Sequence, residues 1–184
     1  YKKRFINNKA HLVTADGGIG IEKYDIKEYL NSKLIFSEVL TALNIQKKKG
    51  NFVLKIYSIY TDITIQIINI LQIFYQTVNI VKPVTSRPAN DELYLVCLNF
   101  EGITNTDLNK LFNVLDEWNK LKKDQYLINF LDKSLYVDKI SKFNKLYLER
   151  QVKNIDKVFK FMKLNQKEMK YQLDKMYNYA KIWY

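Results

Sequence analysis

The chain has 184 residues, 47% apolar and 14% aromatic, enough to bury a core and too apolar for disorder. No apolar run reaches the roughly 18 residues of a membrane-spanning helix, and a single cysteine (Cys97) with a single histidine (His11) leaves neither a disulfide framework nor a Cys/His zinc cluster. Thirty basic against nineteen acidic residues give +11, a balance that suits a polyanionic partner, although only Arg4, Arg87 and Arg150 are arginines and the lysine excess also reflects an A+T-rich coding sequence.

The first thirteen residues, YKKRFINNKAHLV, lack the continuous apolar core of a signal peptide, and the lone cysteine fits a reducing compartment. His11–Ala15 reads as a strand running into DGG. Tyr24–Lys49 has helical spacing, with Leu30, Leu34, Val39 and Leu43 on one stripe. Asn51–Tyr57 is a buried strand, Ile63–Tyr75 an apolar helix, Val78–Lys82 a strand closed by Pro83, and Leu93–Asn99 a further strand. Strands alternating with helices predict right-handed crossovers and a parallel sheet. The segment between the last two strands is too short for a crossover helix, so that pair is expected to be antiparallel.

All glycines and prolines lie at or before Gly102, and the 82 residues after it predict helices. From Leu148 a seam runs through Val152, Ile155, Phe159, Met162, Gln166, Met169, Leu173, Met176, Ala180 and Trp183 at alternating three- and four-residue steps. It reads as a long amphipathic helix, or a pair broken near Leu164–Asn165, packed on the body of the protein. A helical protein partner or a dimer across 148–183 reads from the same pattern, and methionines favour an irregular partner surface. Lysines opposite the seam could track RNA phosphates.

Three ionisable residues stand out. Lys55 sits in FVLKIY, where burying an ammonium is costly unless it is paired or neutral; an edge strand carrying it out to water reads the same way. Asp16 follows a strand directly, and Glu92 opens the final one; alone, each also reads as an ordinary turn or strand-start carboxylate. Ligands of open α/β sheets lie beyond the carboxyl ends of the parallel strands, where Asp16 and Lys55 fall, and an antiparallel last strand starts at that same rim with Glu92. A lysine between two carboxylates stays protonated unless burial or a second cation lowers its pKa; so lowered, it can act as a general base.

The stretches VTADGGIGIE, GNFVLKIYSIYTD and VNIVKPVTSRPANDELYLVC resemble the FtsJ-like ribose 2′-O-methyltransferases, and among them the branch that methylates the first transcribed nucleotide of capped mRNA. The resemblance covers residues 10–102, and KPVTSRPANDE is its most specific part. It implies an α/β fold: the C-terminal half of a Rossmann-like S-adenosylmethionine-dependent methyltransferase sheet ending in an antiparallel hairpin, then an all-helical extension, with domains at 1–102 and 103–184. It also implies that Asp16, Lys55 and Glu92, spaced 39 and 37 apart, are the second to fourth members of a Lys-Asp-Lys-Glu catalytic tetrad. Asp16 and Gly17 would hold S-adenosylmethionine, and Arg87 and Asn90 would contact the RNA or brace their loop. No metal is required.

The family's first lysine and glycine-rich cofactor loop lie well upstream of DGG, whereas fifteen residues precede Asp16. Lys2, Lys3 and Lys9 are too close to Asp16 to supply that lysine, and Gly17, Gly18 and Gly20 form no such loop. The upstream half is therefore expected elsewhere, as another part of the gene product or a separate chain, and is itself a partner alongside capped mRNA. Methylation of ribosomal or transfer RNA, and a non-catalytic scaffold binding RNA or a capping partner, are the rival functions; a membrane partner is not expected. The expected location is the cytoplasm, including a viral factory or virion given the A+T bias, or the nucleus of a cell.

Overall fold

The computed structural model describes residues 8–20, 26–87, 89–118 and 134–181. In chain order these form β1 (Ala10–Ala15), α1 (Lys27–Ile45), β2 (Gln46–Ile56), α2 (Asp62–Phe74), β3 (Tyr75–Val81), β4 (Leu93–Phe100), α3 (Asn105–Asp116), α4 (Ser134–Met162) and α5 (Gln166–Lys181). Two compact units divide the chain, one of residues 1–86 with 91–144, the other of 87–90 with 145–184.

In the first unit the four strands make one sheet in the order β1-β2-β4-β3. β1 runs parallel to β2, and β4 runs antiparallel to both β2 and β3. The antiparallel β3–β4 pair matches the expectation. Its placement goes further, because β4 lies between β2 and β3. The burial of the two strands explains this: β4 (LYLVCLNF) is buried or half-buried except at Asn99, whereas β3 exposes Gln76, Thr77, Asn79 and Val81. The apolar strand takes the inner position, with both backbone edges paired, and the polar one takes the edge.

Period-two alternation puts Phe52, Leu54 and Ile56 of β2 opposite Cys97, Leu95 and Leu93 of β4, and all six are fully buried. Over this face lie Ile35, Phe36, Val39, Leu40 and Leu43 of α1 and Ile67, Ile68 and Leu71 of α2. Each such side chain stabilises the fold by about 1.5–3 kcal/mol. The stripe of α1 is thus shifted from the predicted one: Leu30 is 40% exposed, and the core row starts at Ile35. α3 opens on a cap in which Thr104 accepts from Asp107 N–H at 3.1 Å and donates to the Asp107 carboxylate at 2.7 Å. It buries Leu108 and Leu111, and the Trp118 ring beyond it packs tilted by 34° against Phe36, with centroids 5.2 Å apart.

Two boundaries differ from the predicted ones. α1 stops at Ile45 rather than Lys49, and Gln46 already belongs to β2. The predicted start at Tyr24 lies outside the described residues. Likewise α2 ends at Phe74, and Tyr75 opens β3. In both places helix passes into strand without a loop, and the two junctions meet: the Tyr75 hydroxyl donates to the Gln46 side-chain oxygen, with both residues buried. Lysines at a helical end mimic a helix C-terminus, which hides the junction from a periodicity argument.

The part of α4 from Lys145 and the whole of α5 belong to the second unit, and the two helices are separated at Lys163–Asn165, as the broken-pair reading has it. Asn165 accepts from Glu168 N–H and the Glu168 carboxylate accepts from Asn165 N–H, both at 3.0 Å, a reciprocal cap that starts a new helix. Leu148, Val152, Phe159, Met162, Leu173 and Met176 of the seam are each at least half exposed. Trp183 and the Ala180 side chain lie outside the described residues.

Candidate active site

The carboxyl ends of β1 and β2 bring Asp16 and Lys55 together. The Lys55 ammonium forms an ion pair with the Asp16 carboxylate and donates to the Asp16 main-chain oxygen at 3.2 Å. Lys55 lies on an inner strand with its side chain 14% exposed, which removes the edge-strand alternative, while the Asp16 side chain is 71% exposed. Burial alone lowers the Lys55 pKa. The hydrogen bond and charge of Asp16, with help from Tyr57, outweigh it and raise the value above that of an ordinary lysine. The neutral amine expected of a general base is therefore not what this chain by itself produces: Lys55 is a paired ammonium at neutral pH.

Glu92 joins the cluster through Tyr94, which stands opposite Lys55 in the β2–β4 register. The Tyr94 hydroxyl donates to the Glu92 carboxylate at 2.7 Å. That bond, then burial, then the charges of Glu92 and Asp16 push the phenol up to about 12, while the Lys55 charge acts in the opposite sense. Tyr94 thus feels all three predicted residues at once. Lys82 donates to the Glu92 main-chain oxygen at 2.8 Å and fixes the start of β4.

Four further residues shape the site. Glu38 of α1 accepts from Gly17 N–H at 2.8 Å, pinning the turn that aims Asp16, and burial pushes its carboxyl up despite that bond and the Lys55 charge. Asn31 accepts from Ile19 N–H at 2.9 Å and holds the same turn one step on. The Tyr57 ring carries two cations, Lys27 at 4.0 Å and Lys55 at 5.5 Å from its centroid. A Cβ at Gly18 would meet the Tyr57 hydroxyl at 2.5 Å, so a side chain there would displace Tyr57 from beside Lys55. Strand alternation carried a signal for the tyrosines, since Lys55-x-Tyr57 and Glu92-x-Tyr94 share a face. Glu38 and Asn31 sit among apolar neighbours on the buried side of α1, a placement that marks a polar residue with a partner.

The loop after β2 is anchored from α1. The buried Glu28 carboxylate accepts from Tyr60 N–H at 3.0 Å, Thr61 N–H at 2.9 Å and the Thr61 hydroxyl at 2.8 Å, while Lys27 pairs with Asp91 at 3.7 Å. Of the predicted RNA-contacting pair, Arg87 is exposed and Asn90 half-buried; both belong to the second unit. There the Asn90 main-chain oxygen accepts from the Tyr147 hydroxyl at 3.2 Å and from Gln151 at 3.0 Å. Among the described residues no group of His, Cys, Asp and Glu could hold a metal ion.

Against known proteins, a family model described as FtsJ-like methyltransferase matches residues 1–100. The chain is 30% identical over 152 residues to cap-specific mRNA (nucleoside-2′-O-)-methyltransferase 1 of Caenorhabditis elegans, covering 77% of this chain and 17% of that protein. The same-named protein of Dictyostelium discoideum is 34% identical over 146 residues, covering 77% and 19%. The chain thus spans less than a fifth of the length of these curated relatives. A solved ribosomal RNA methyltransferase of Plasmodium falciparum is similar over 55% of this chain and 53% of its own, at 22% identity and a TM-score of 0.44.

Proposed function

The chain belongs to the FtsJ-like methyltransferase family, and from that premise we propose that it carries the catalytic rim of an S-adenosylmethionine-dependent RNA 2′-O-methyltransferase acting on the cap-adjacent nucleotide of mRNA. The observation that carries the reading is the Asp16–Lys55 ion pair at the carboxyl edge of the sheet, with Tyr94, the register partner of Lys55, donating to Glu92. The mRNA target rests on the names of the relatives, whose matched part is this region.

The residues fit the cofactor as far as they go. Asp16 pairs with Lys55 yet stays 71% exposed, so its carboxylate can also face the sulfonium cation, and the tight Gly17–Gly18 turn keeps side chains away from it. Bound there, S-adenosylmethionine supplies the methyl group. Lys55 takes the proton of the ribose 2′-hydroxyl as the amine, and Asp16 and Glu92 orient it and stabilise the ammonium that results. Lys55 must first lose a proton that Asp16 holds on it. A second cation does this by like-charge repulsion, and in this reading it is the family's first lysine, brought by the upstream half of the domain. Arg87 and Asn90 serve the RNA or its loop, and the apolar seam of α4 and α5 takes a partner helix or a second copy.

In the intact protein, Lys55→Ala is expected to lower methyl transfer to capped RNA by at least about a hundredfold, the contribution of a positioned base, with S-adenosylmethionine affinity nearly unchanged. Full retained activity would exclude the base role. A non-catalytic RNA-binding scaffold is the second reading, favoured by the charge that Asp16 keeps on Lys55; it requires the wild-type protein to bind capped RNA without methylating it.

A further inference from the structure

At the far end of the sheet from Asp16 and Lys55, the first residues of β1 and β2 and the segment after β4 enclose a cleft of about 680 Å3. Lys9, His11, Lys47 and Lys48 line it, together with the buried Gln46 and Phe100, and among the described residues no carboxylate does. The four basic side chains are exposed on a fixed backbone. Lys49 adopts a left-handed φ of 64°, and Gly50 packs so closely that a Cβ there would meet the main-chain oxygens of His11 and Lys47 at 2.8 Å each, which fixes the backbone presenting Lys47 and Lys48. The Lys48 stem lies against Gly102, where a Cβ would meet its Cε at 3.0 Å. Gln46 is fully buried; its oxygen is taken by the Tyr75 hydroxyl, and its amide nitrogen finds no acceptor among the described residues. A buried donor without an acceptor is costly, and this one belongs to a residue that lines the cleft.

We propose that this cleft is a second RNA site, in which Lys9, Lys47 and Lys48 hold phosphodiester oxygens, His11 and the Gln46 amide donate to the same strand, and the bound segment lies away from the methylated ribose. The inference rests on the RNA methyltransferase reading and extends it. Cations without carboxylates, around a volume too large for one phosphate, suit a strand bearing several, and the strand engaged at the catalytic rim is such a polyanion. Gln46 stands beside Ala10 and Leu54 beside Ala15, so Lys47 and Lys55 are separated by about the five-step length of β1, roughly 17 Å, a span that several nucleotides cover. The site therefore senses RNA length while leaving the chemistry at the ribose untouched.

The test compares the intact wild-type protein with the double variant Lys47→Glu/Lys48→Glu on capped RNAs of about 4 and about 20 nucleotides. The expected result is a KM for the long RNA raised on the order of tenfold, with kcat and the short RNA unaffected. The salt dependence of long-RNA binding should flatten by about 1.4 in log–log slope, about 0.7 for each lost single-strand phosphate contact. Lys33→Glu/Lys110→Glu, an equal change of net charge on exposed positions of α1 and α3, should leave all of these as in wild type. Equal KM values for the long RNA in the cleft variant and wild type would overturn the proposal. So would equal losses in the two charge-reversed proteins, which would make the effect one of net charge.

Binding of a labelled, uncapped strand of about 20 nucleotides, read without any methyl transfer, separates this inference from the functional reading. Weakened binding in the cleft variant upholds the cleft even if the wild-type protein methylates nothing. Unchanged binding removes it even if methylation is robust. Inorganic phosphate that protects Lys47 and Lys48 from amine acylation as fully as the strand does would overturn the strand assignment in favour of a free-phosphate site.

Discussion

Lys55 illustrates how one side chain's charge state is set by opposing effects of burial and charge. Burial on an inner strand pulls its pKa down, and Asp16 and Tyr57 together pull it up by more. Because the folded value is raised, the pair stabilises the fold fully below the ordinary lysine value of 10.5 and loses that contribution as pH climbs through the folded value above it. Asp16→Asn removes the dominant raising partner. The Lys55 ammonium, followed by side-chain nitrogen NMR, should then titrate at lower pH than in wild type; an unmoved or higher midpoint would show that Asp16 does not control it. Cys97 is the opposite case, a group with no charge to meet it. It is fully buried and burial alone pushes its thiol up to about 12, so a disulfide reagent at pH 8 should leave it unmodified in the native protein and label it fully after unfolding.

At the scale of elements, the site depends on α1 gripping the loops at the carboxyl edge. Glu28 alone accepts three hydrogen bonds from the turn that opens α2, and that turn also caps the helix, Thr61 accepting from Thr64 N–H at 3.3 Å. Glu28→Ala strands two backbone N–H groups and is expected to cost about 2–4 kcal/mol, measured by urea unfolding at neutral pH; a loss below about 0.5 kcal/mol would mean that water replaces the carboxylate. At the other edge, Gly50 allows β1 and β2 to pair across the register shift between Ala10 and Leu12. Gly50→Ala places a methyl against two main-chain oxygens that cannot swing away, and a destabilisation of about 1–3 kcal/mol is expected. The α1–β2 and α2–β3 junctions escaped the sequence reading because no turn residue marks them. Gln46 and Tyr75 begin strands directly, held by a bond between residues 29 apart that no local pattern encodes.

At the scale of the whole molecule, the second unit presents an apolar seam that its described residues leave open. Six of its large side chains are half or more exposed, and Glu149 and Asp156 of α4 flank it where Lys163 and Lys170 flank its continuation. Val152→Asp with Met176→Asp should abolish association seen by sedimentation equilibrium in the intact protein while moving the unfolding midpoint little, since exposed positions contribute little to stability; association unchanged by the double substitution would remove the seam as an interface. The sequence by itself determined the α/β class, the antiparallel last pair and the break in the tail near Asn165, and it singled out Asp16, Lys55 and Glu92 as candidates. Each of these follows from periodicity, from a breaker or cap, or from a motif whose residues lie close along the chain. Only the tertiary structure decided that β4 lies between β2 and β3, that Glu38, Asn31, Tyr57 and Tyr94 complete the rim, and that Lys55 keeps its proton. Those outcomes depend on distances between residues far apart in sequence and on the balance of burial against charge at a single atom, quantities that exist only once the chain is folded.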